Sequence, residues 1–336
     1  MSRSYAEFAR PSYRDTRWLE THWFSALTTD GIRLHFWMGF RLNTGVATTK
    51  VYAFSQFCDS VLDMEMCDMQ YNSPIGASRL ADFSLESGVS VKGRPAPRVY
   101  DLTYRSACGR MTAELTFEAL MEPADLSATK IPDGPDGFVA FHRGPRQGAP
   151  ANRTGTEPSG HIDQTMAVRG SVTIDGIAHE VDCVSNRDHS WSPRAEVGHT
   201  IGTFDLVHFG TDLTLLTHTG EGSDGKPNVS HGYLLRDGEF RALKSAQVDY
   251  EREGLRIVGF RYRVVDEHDL EYQITGRARG SAEIDGGQNI YLVMGLYDCE
   301  WDGRTGYGEV QWHDYITRMQ GVRAAQRAER AACPAR

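Results

Sequence analysis

The stretch MTAELTFEA, residues 111–119, alternates apolar and polar side chains with a period of two. This pattern predicts a β-strand with one face on a core and the other in water. Similar strand signals recur along the chain, separated by short glycine-containing turns such as Asp175-Gly176, and no long helical period lies between them. Many antiparallel strands at this spacing predict an all-β protein built from barrels or sandwiches.

The domain organisation follows from the length and from one irregular segment. A chain of 336 residues is typical of about two domains. Between residues 122 and 160, prolines, glycines and small polar residues interrupt every periodicity. We therefore predict an N-terminal β-barrel domain over residues 1–155 and a C-terminal β-barrel domain over residues 156–336. The arginine- and alanine-rich C-terminus predicts a short helix or tail.

Charge and composition limit the classes of partner. The chain has 36 Lys and Arg against 45 Asp and Glu, a formal net charge of −9, which disfavours nucleic-acid binding. No run of about 18 apolar residues predicts a membrane span, and the first residues lack the apolar core of a secretory signal. Six cysteines without a CxxC pair favour reduced thiols. We therefore predict a cytoplasmic protein, and the sequence leaves open whether it is a homodimer.

The densest group of reactive side chains is RDHSWSPR, residues 187–194, directly after a predicted strand. Asp188 and His189 can donate and accept a proton, and Trp191 can present its π-face to a cation. We predict these three residues to be catalytic. The alternative is structural, with Asp188 and Arg194 tying down a strand end and Trp191 filling a core.

The last predicted strand, residues 307–315, carries Glu309, Gln311 and His313 on one face and Val310 and Trp312 on the other. The polar face either lines a cavity or faces solvent, and the alternation alone does not decide between them. The histidines between residues 161 and 231 lack the close pairs typical of metal sites, so no metal ligand is predicted. The candidate substrate-binding residues are Arg187, Arg194, Asp205, His208, Glu309 and Gln311.

Motifs for nucleotide or phosphate binding, serine hydrolysis and zinc hydrolysis are absent from the sequence. The remaining chemistry is acid/base catalysis by side chains alone. A barrel lumen with aromatic walls would bind a mainly apolar substrate, and a few polar groups would direct a proton and a water onto it.

The RDHSW segment at residues 187–191 resembles a signature of the carotenoid 1,2-hydratase (hydroxyneurosporene synthase) superfamily. The stretches GHIDQ at 160–164, GSVTIDG at 170–176 and GYGE at 306–309 are similar to other parts of that pattern. The resemblance implies two packed lipocalin-like barrels and a hydrophobic, unsaturated substrate such as a terpenoid, steroid or aromatic, with no cofactor. It also implies an acid/base role for His189 and a cation-stabilising role for Trp191.

The leading prediction is a cofactor-independent lyase or isomerase, most simply a hydratase or dehydratase, with a cavity near the domain interface. Two alternatives stay open. A lipocalin-like barrel can carry a hydrophobic metabolite without changing it, because fold does not fix function. A cavity that holds a polyene in a reactive conformation would make the protein a cyclase.

Overall fold

The computed structural model describes residues 7–9, 16–76, 79–125, 129–132, 160–194, 202–221, 226–287 and 289–332. Within these residues nearly all regular structure is β, and one helix follows the last strand. The elements are β1 (Trp18–Leu27), β2 (Arg33–Arg41), β3 (Val46–Phe54), β4 (Phe57–Cys58), β5 (Met66–Pro74), β6 (Asp82–Ser84), β7 (Val89–Gly93), β8 (Val99–Arg105), β9 (Met111–Ala119), β10 (Ala124–Asp125), β11 (Gly160–Ile174), β12 (Ile177–Pro193), β13 (Gly202–Phe209), β14 (Leu213–Glu221), β15 (Pro227–Arg236), β16 (Glu239–Glu253), β17 (Arg256–Asp266), β18 (Glu271–Gly287), β19 (Ile290–Trp301), β20 (Arg304–Tyr315) and α1 (Ile316–Ala332).

The first sheet has eleven strands in the order β5-β3-β2-β1-β12-β11-β9-β8-β7-β6, with β10 paired to β11. It curls around a core that includes Phe24, Phe36 and Phe117. Its two edge strands, β5 and β6, do not pair with each other among the described residues, so this curled sheet stays open. Strand β9 is the 111–119 stretch, and its apolar positions are buried as the alternation predicts.

The second sheet is a closed barrel. Strands β13 to β20 form it in the order β17-β16-β15-β14-β13-β20-β19-β18, and pairing between β17 and β18 completes the ring. The short strand β4 adds to β18 in parallel, while the other strand pairs are antiparallel. Val207, Tyr262, Val310 and Trp312 belong to the core inside the barrel.

These two sheets confirm the predicted all-β class, and α1 confirms the predicted C-terminal helix. The predicted boundary at 155/156 lies outside the described residues, and the division into two domains stays a prediction. The chain passes from the first sheet to the second only after β12, because β11 and β12 still pair with β9 and β1 of the curled sheet. The segment 187–194 therefore belongs to the curled sheet and not to the barrel.

The hairpin of β11 and β12 turns at Asp175-Gly176, as predicted, and both residues have positive φ angles of 50° and 81°. The cysteines of the described residues are all free thiols. Within the described chain, no helix is both long and apolar enough to cross a membrane.

Candidate active site

A cavity of about 370 Å³ lies between the curled sheet and the barrel. Volumes of this order are typical of small-molecule sites. The leading prediction was a cavity near the domain interface, and a barrel lumen was also considered; hydrophobic cores occupy the inside of both sheets. The cavity instead uses the outer face of each sheet. Its apolar wall includes Leu19, Trp23, Trp37, Phe204, Leu292 and Met294.

The 187–194 segment continues strand β12 and does not form a turn after it. Successive side chains of a strand point to opposite faces. Asp188 and Ser190 consequently line the cavity, whereas His189 and Trp191 point to the other side of the sheet. The structure therefore brings only one of the three predicted catalytic residues, Asp188, to this cavity.

His189 and Trp191 are packed within the first sheet, and both are 1% exposed. His189 Nε2 lies 2.7 Å from Glu20 Oε1. Trp191 packs over Gly160, where an added Cβ would come within 1.9 Å of the indole, so only glycine leaves room for the ring. Arg187 is buried on the same side of β12. These contacts place Trp191 in a core, as the structural alternative has it, and His189 away from this cavity; a catalytic role for the two residues stays a prediction.

Asp188 stands beside a chain of buried titratable groups. His161 Nε2 lies 3.7 Å from an Asp188 oxygen and 3.0 Å from Asp163 Oδ1. Asp163 Oδ2 in turn lies 3.0 Å from Nε2 of His218, which comes from the barrel strand β14. Burial raises the pKa of Asp188 to about 6, although the neighbouring His161 opposes this. A carboxyl group with such a pKa can give up and regain a proton near neutral pH.

The pKa values of His161 and Asp163 are set by their interactions with neighbouring charged groups. Burial alone would lower the pKa of His161, but the carboxylates of Asp163 and Asp188 raise it above its ordinary value. Burial would raise the pKa of Asp163, but His161 and His218 hold it below its ordinary range. Asp163 is therefore a fixed negative charge that positions both imidazoles.

His161, Asp163 and His218 are also close enough to hold a metal ion, since one ligand atom from each lies within 4.8 Å of the others. Imidazole and carboxylate ligands suit Zn²⁺. Each Asp163 oxygen already contacts one imidazole at hydrogen-bonding distance, so hydrogen bonding accounts for the cluster. The sequence search for close histidine pairs missed it, because its second histidine comes from another sheet.

Of the predicted binding residues, Arg194 and Gln311 line the cavity. Arg194 donates a hydrogen bond to Ser190 Oγ at 2.6 Å. Gln311 donates to Glu309 Oε1 at 2.7 Å. Glu309 lies behind this surface and forms a buried ion pair with Arg33 of the curled sheet. Glu309 thus joins the two sheets and does not itself line the cavity.

The predicted residues Asp205 and His208 do not line the cavity. Asp205 accepts hydrogen bonds from Tyr250 and Tyr262, at 2.6 and 2.5 Å. Burial raises the pKa of Asp205 to about 6. His208 Nδ1 contacts Thr214 Oγ1 at 3.1 Å, and burial lowers the pKa of His208 to about 3. Both groups are surrounded by protein and are not brought together with Asp188.

Comparison with known proteins places the chain in a family. The family described as "Domain of unknown function (DUF7064)" matches residues 6–316. The chain belongs to the DUF7064 family. No match was found among curated proteins.

Solved structures share the fold of this DUF7064 chain at low sequence identity. A provisional AttH protein (NE1406) from Nitrosomonas europaea is 14% identical, with a TM-score of 0.55 over 91% of this chain and 95% of its own. Kievitone hydratase from Nectria haematococca is 11% identical, with a TM-score of 0.51 over 92% of this chain and 94% of its own. The protein CghA is 12% identical, with a TM-score of 0.56 over 92% and 94%. At identities this low, the structural likeness shows a common fold and no more.

Sequence reasoning on the DUF7064 chain did not single out His313 as a site residue, although it placed His313 on the polar face of the last strand. Gln311 and His313 of that face line the cavity, while Val310 and Trp312 of the opposite face pack into the barrel core. Burial lowers the pKa of His313 to about 4. Its imidazole is therefore neutral at physiological pH and can accept a proton.

Proposed function

We propose that this protein is an enzyme that moves protons on a hydrophobic, unsaturated small molecule, as a hydratase, dehydratase or isomerase. The observation that carries the proposal is the position of Asp188. It is a carboxyl group with a raised pKa on the wall of a largely apolar cavity. Perturbed titratable groups in an apolar cavity are typical of acid/base catalysts.

The cavity supplies an acid and a base from different sheets. Protonated Asp188, on β12, would donate its proton to one carbon of a substrate double bond, and His161 would supply the next proton to Asp188. The neutral imidazole of His313, on β20, would take a proton from the water that adds to the other carbon. The balanced reaction is the addition of one water across one C=C bond, and its reverse is dehydration. Without water, the same two groups could shift a double bond by protonation and deprotonation.

A developing positive charge on the substrate would need stabilisation by the walls. The sequence assigned this role to Trp191, but the indoles that line the cavity belong to Trp23 and Trp37. An indole face attracts a desolvated cation by about 2 kcal/mol or more. We therefore assign the cation-stabilising role to Trp23, because the ammonium of Lys50 already lies over the Trp37 ring, and the acid role to Asp188.

The fold shared with a protein named kievitone hydratase supports a hydratase as the first activity to test. The use of side chains alone, without a metal, is part of the proposal. A carrier for hydrophobic metabolites is the competing function, because the same cavity could bind a ligand without changing it.

The test compares the wild-type protein with Asp188→Asn on a panel of terpenoid, steroid and aromatic alkenes, in buffer containing EDTA. Mass spectrometry would detect incorporation of ¹⁸O from H₂¹⁸O or of deuterium from D₂O. We expect turnover by the wild type and a loss of at least about 100-fold in Asp188→Asn, as is typical when a general acid is removed.

The matched control is Asp182→Asn, which removes an exposed carboxylate from the same face of the same strand. It should keep full turnover. Binding without label in any product would support the carrier instead. Equal turnover in wild type and Asp188→Asn would contradict the role of Asp188, and activity that disappears with EDTA would contradict metal independence.

A further inference from the structure

Lys50 is a cation at an unusual place. It lies on β3, its side chain lines the cavity, and the residue is 5% exposed. Lysine is almost never buried to this degree unless its charge is paired. The position directly opposite on β2 is Trp37, so the ammonium lies over an indole face with its Nζ 5.1 Å from the ring centroid.

The surroundings of Lys50 solvate its charge without neutralising it. Its Nζ donates a hydrogen bond to the backbone carbonyl of Gly286 and lies 5.9 Å from the ring centroid of Tyr71. Among the described residues, no carboxylate oxygen lies within 4.0 Å of this nitrogen. Asp285 acts on it only from a longer distance. A buried charge without a counter-ion is costly.

The backbone next to Lys50 leaves space for this ammonium group. Gly287 has a φ of 74°, and an added Cβ there would lie 3.1 Å from Nζ. The hairpin between β18 and β19 thus contacts the lysine directly through glycine and a carbonyl group, while Asp285 of the same hairpin acts on its charge from beyond 4.0 Å. A ligand carboxylate in the cavity could contact the ammonium directly, which the Asp285 carboxylate does not.

The other charged groups that line the cavity do not provide a counter-ion for Lys50. Arg41 lines the cavity and donates to the Thr16 carbonyl at 3.1 Å. Arg194 lies on the same wall as Asp188, and its charge acts on the pKa of His313, as does that of Lys50. The cavity carboxylate of Asp314 lies 3.3 Å from an arginine of α1, Arg318. Arg194 also acts on the Asp188 carboxyl group, so the two acids that line the cavity, Asp188 and Asp314, each have a cation other than Lys50.

We propose that Lys50 binds the carboxylate of the substrate, so that the enzyme acts on hydrophobic unsaturated acids. This inference rests on the proposed function for the identity of the cavity as the active site. Lys50 is a specificity-determining residue here, because it anchors one end of the molecule while Asp188 and His313 act on the double bond. A neutral analogue would leave the buried ammonium unpaired and would bind weakly.

Calorimetric titration tests the preference without needing turnover. The probes are 2-naphthoate, cinnamate and laurate, each compared with the corresponding primary alcohol. We expect the wild type to bind at least one of the acids about tenfold more tightly than its alcohol, as a charge-assisted hydrogen bond predicts. Lys50→Met keeps the apolar stem and should lose this preference, whereas Lys50→Arg should retain it.

The matched control is Lys92→Met, which removes an exposed lysine on β7 of the same sheet. It should bind all probes like the wild type. Equal affinity for acids and alcohols, failure of every acid to bind, or a preference that survives in Lys50→Met would overturn the proposal. If Lys50→Met does not fold, loss of the preference in Lys50→Arg overturns it too.

The test of acid binding by Lys50 can fail or succeed independently of the turnover test of the proposed function. Asp188→Asn should keep the preference for acids while losing turnover. Selective binding of acids without any turnover would contradict the proposed enzyme and leave the role of Lys50 intact.

Discussion

At the scale of single residues, burial moves the pKa of Asp188 and that of His313 in opposite directions. The pKa of Asp188 rises to about 6 and that of His313 falls to about 4. Each shift favours the neutral form of its group, as desolvation does for any isolated charge. An acid that keeps its proton and a base that remains free can therefore coexist in one cavity.

This pair predicts a bell-shaped pH dependence. His313 must be neutral, which requires a pH above about 4, and Asp188 must be protonated, which requires a pH below about 6. We expect kcat/KM of the free enzyme to be highest between these values and to fall on both sides. Steady-state kinetics from pH 3.5 to 9 would measure it, with stability checked at each pH. A plateau that extends above pH 8 would exclude protonated Asp188 as the acid.

At the scale of elements, a strand with two buried faces limits what sequence can show. The alternation in β9 and the turn at Asp175-Gly176 were predicted because each has a clear local signature. Strand β1 was not predicted, since all of its residues are buried and polar side chains occupy both faces. For β12 the alternation separates Asp188 from His189, but no pattern shows which of them faces the cavity.

The two faces of β12 predict different effects of neighbouring substitutions. His189→Ala leaves Glu20 buried without its imidazole partner, so we expect a loss of about 3 to 5 kcal/mol in the free energy of unfolding. Asp188→Asn should change that free energy far less, because its side chain is 18% exposed at the cavity. Urea denaturation followed by tryptophan fluorescence measures both. Unchanged stability of His189→Ala together with complete loss of turnover would instead return His189 to the catalytic role expected from the sequence.

At the scale of the whole molecule, the outer face of the curled sheet meets that of the barrel through buried charges as well as apolar contacts. The guanidinium of Arg33 on β2 pairs with Glu309 on β20, and both side chains are 1% exposed. Burial would raise the pKa of Glu309, but Arg33 and His35 hold it at about 2. From the sequence, Glu309 was predicted to bind substrate. Its ion pair with Arg33 could not be predicted, because the pattern of one strand does not show a partner that is 276 positions away.

This ion pair predicts a pH-dependent contribution to stability. The folded-state pKa of Glu309 lies below the ordinary value of 4.5. Its stabilising effect is therefore complete above about pH 4.5 and is lost as the pH falls towards 2. At pH 7 we expect Glu309→Gln to lower the free energy of unfolding by about 3 to 5 kcal/mol, since it leaves Arg33 buried without an acid. The difference from the wild type should narrow on acidification.

The control for Glu309→Gln is Asp212→Asn, which breaks the exposed pair with Arg304. Exposed pairs contribute at most about 1 kcal/mol, so this change should have little effect at any pH. Denaturant titrations at pH 7, 5, 4 and 3 provide the comparison. A destabilisation by Glu309→Gln that stays constant over this range would contradict the linkage to the Glu309 carboxylate.

The alternation in β20 divides one strand between two tasks, because Gln311 and His313 border the cavity while Val310 and Trp312 fill the barrel. Substitutions at these two cavity positions can therefore change the accepted molecule without disturbing the hydrophobic interior. A gene library at Gln311 should yield many well-folded variants with altered chemical preference, whereas changes at His313 should also remove the proposed base. Libraries at the intervening positions should mostly produce misfolded protein.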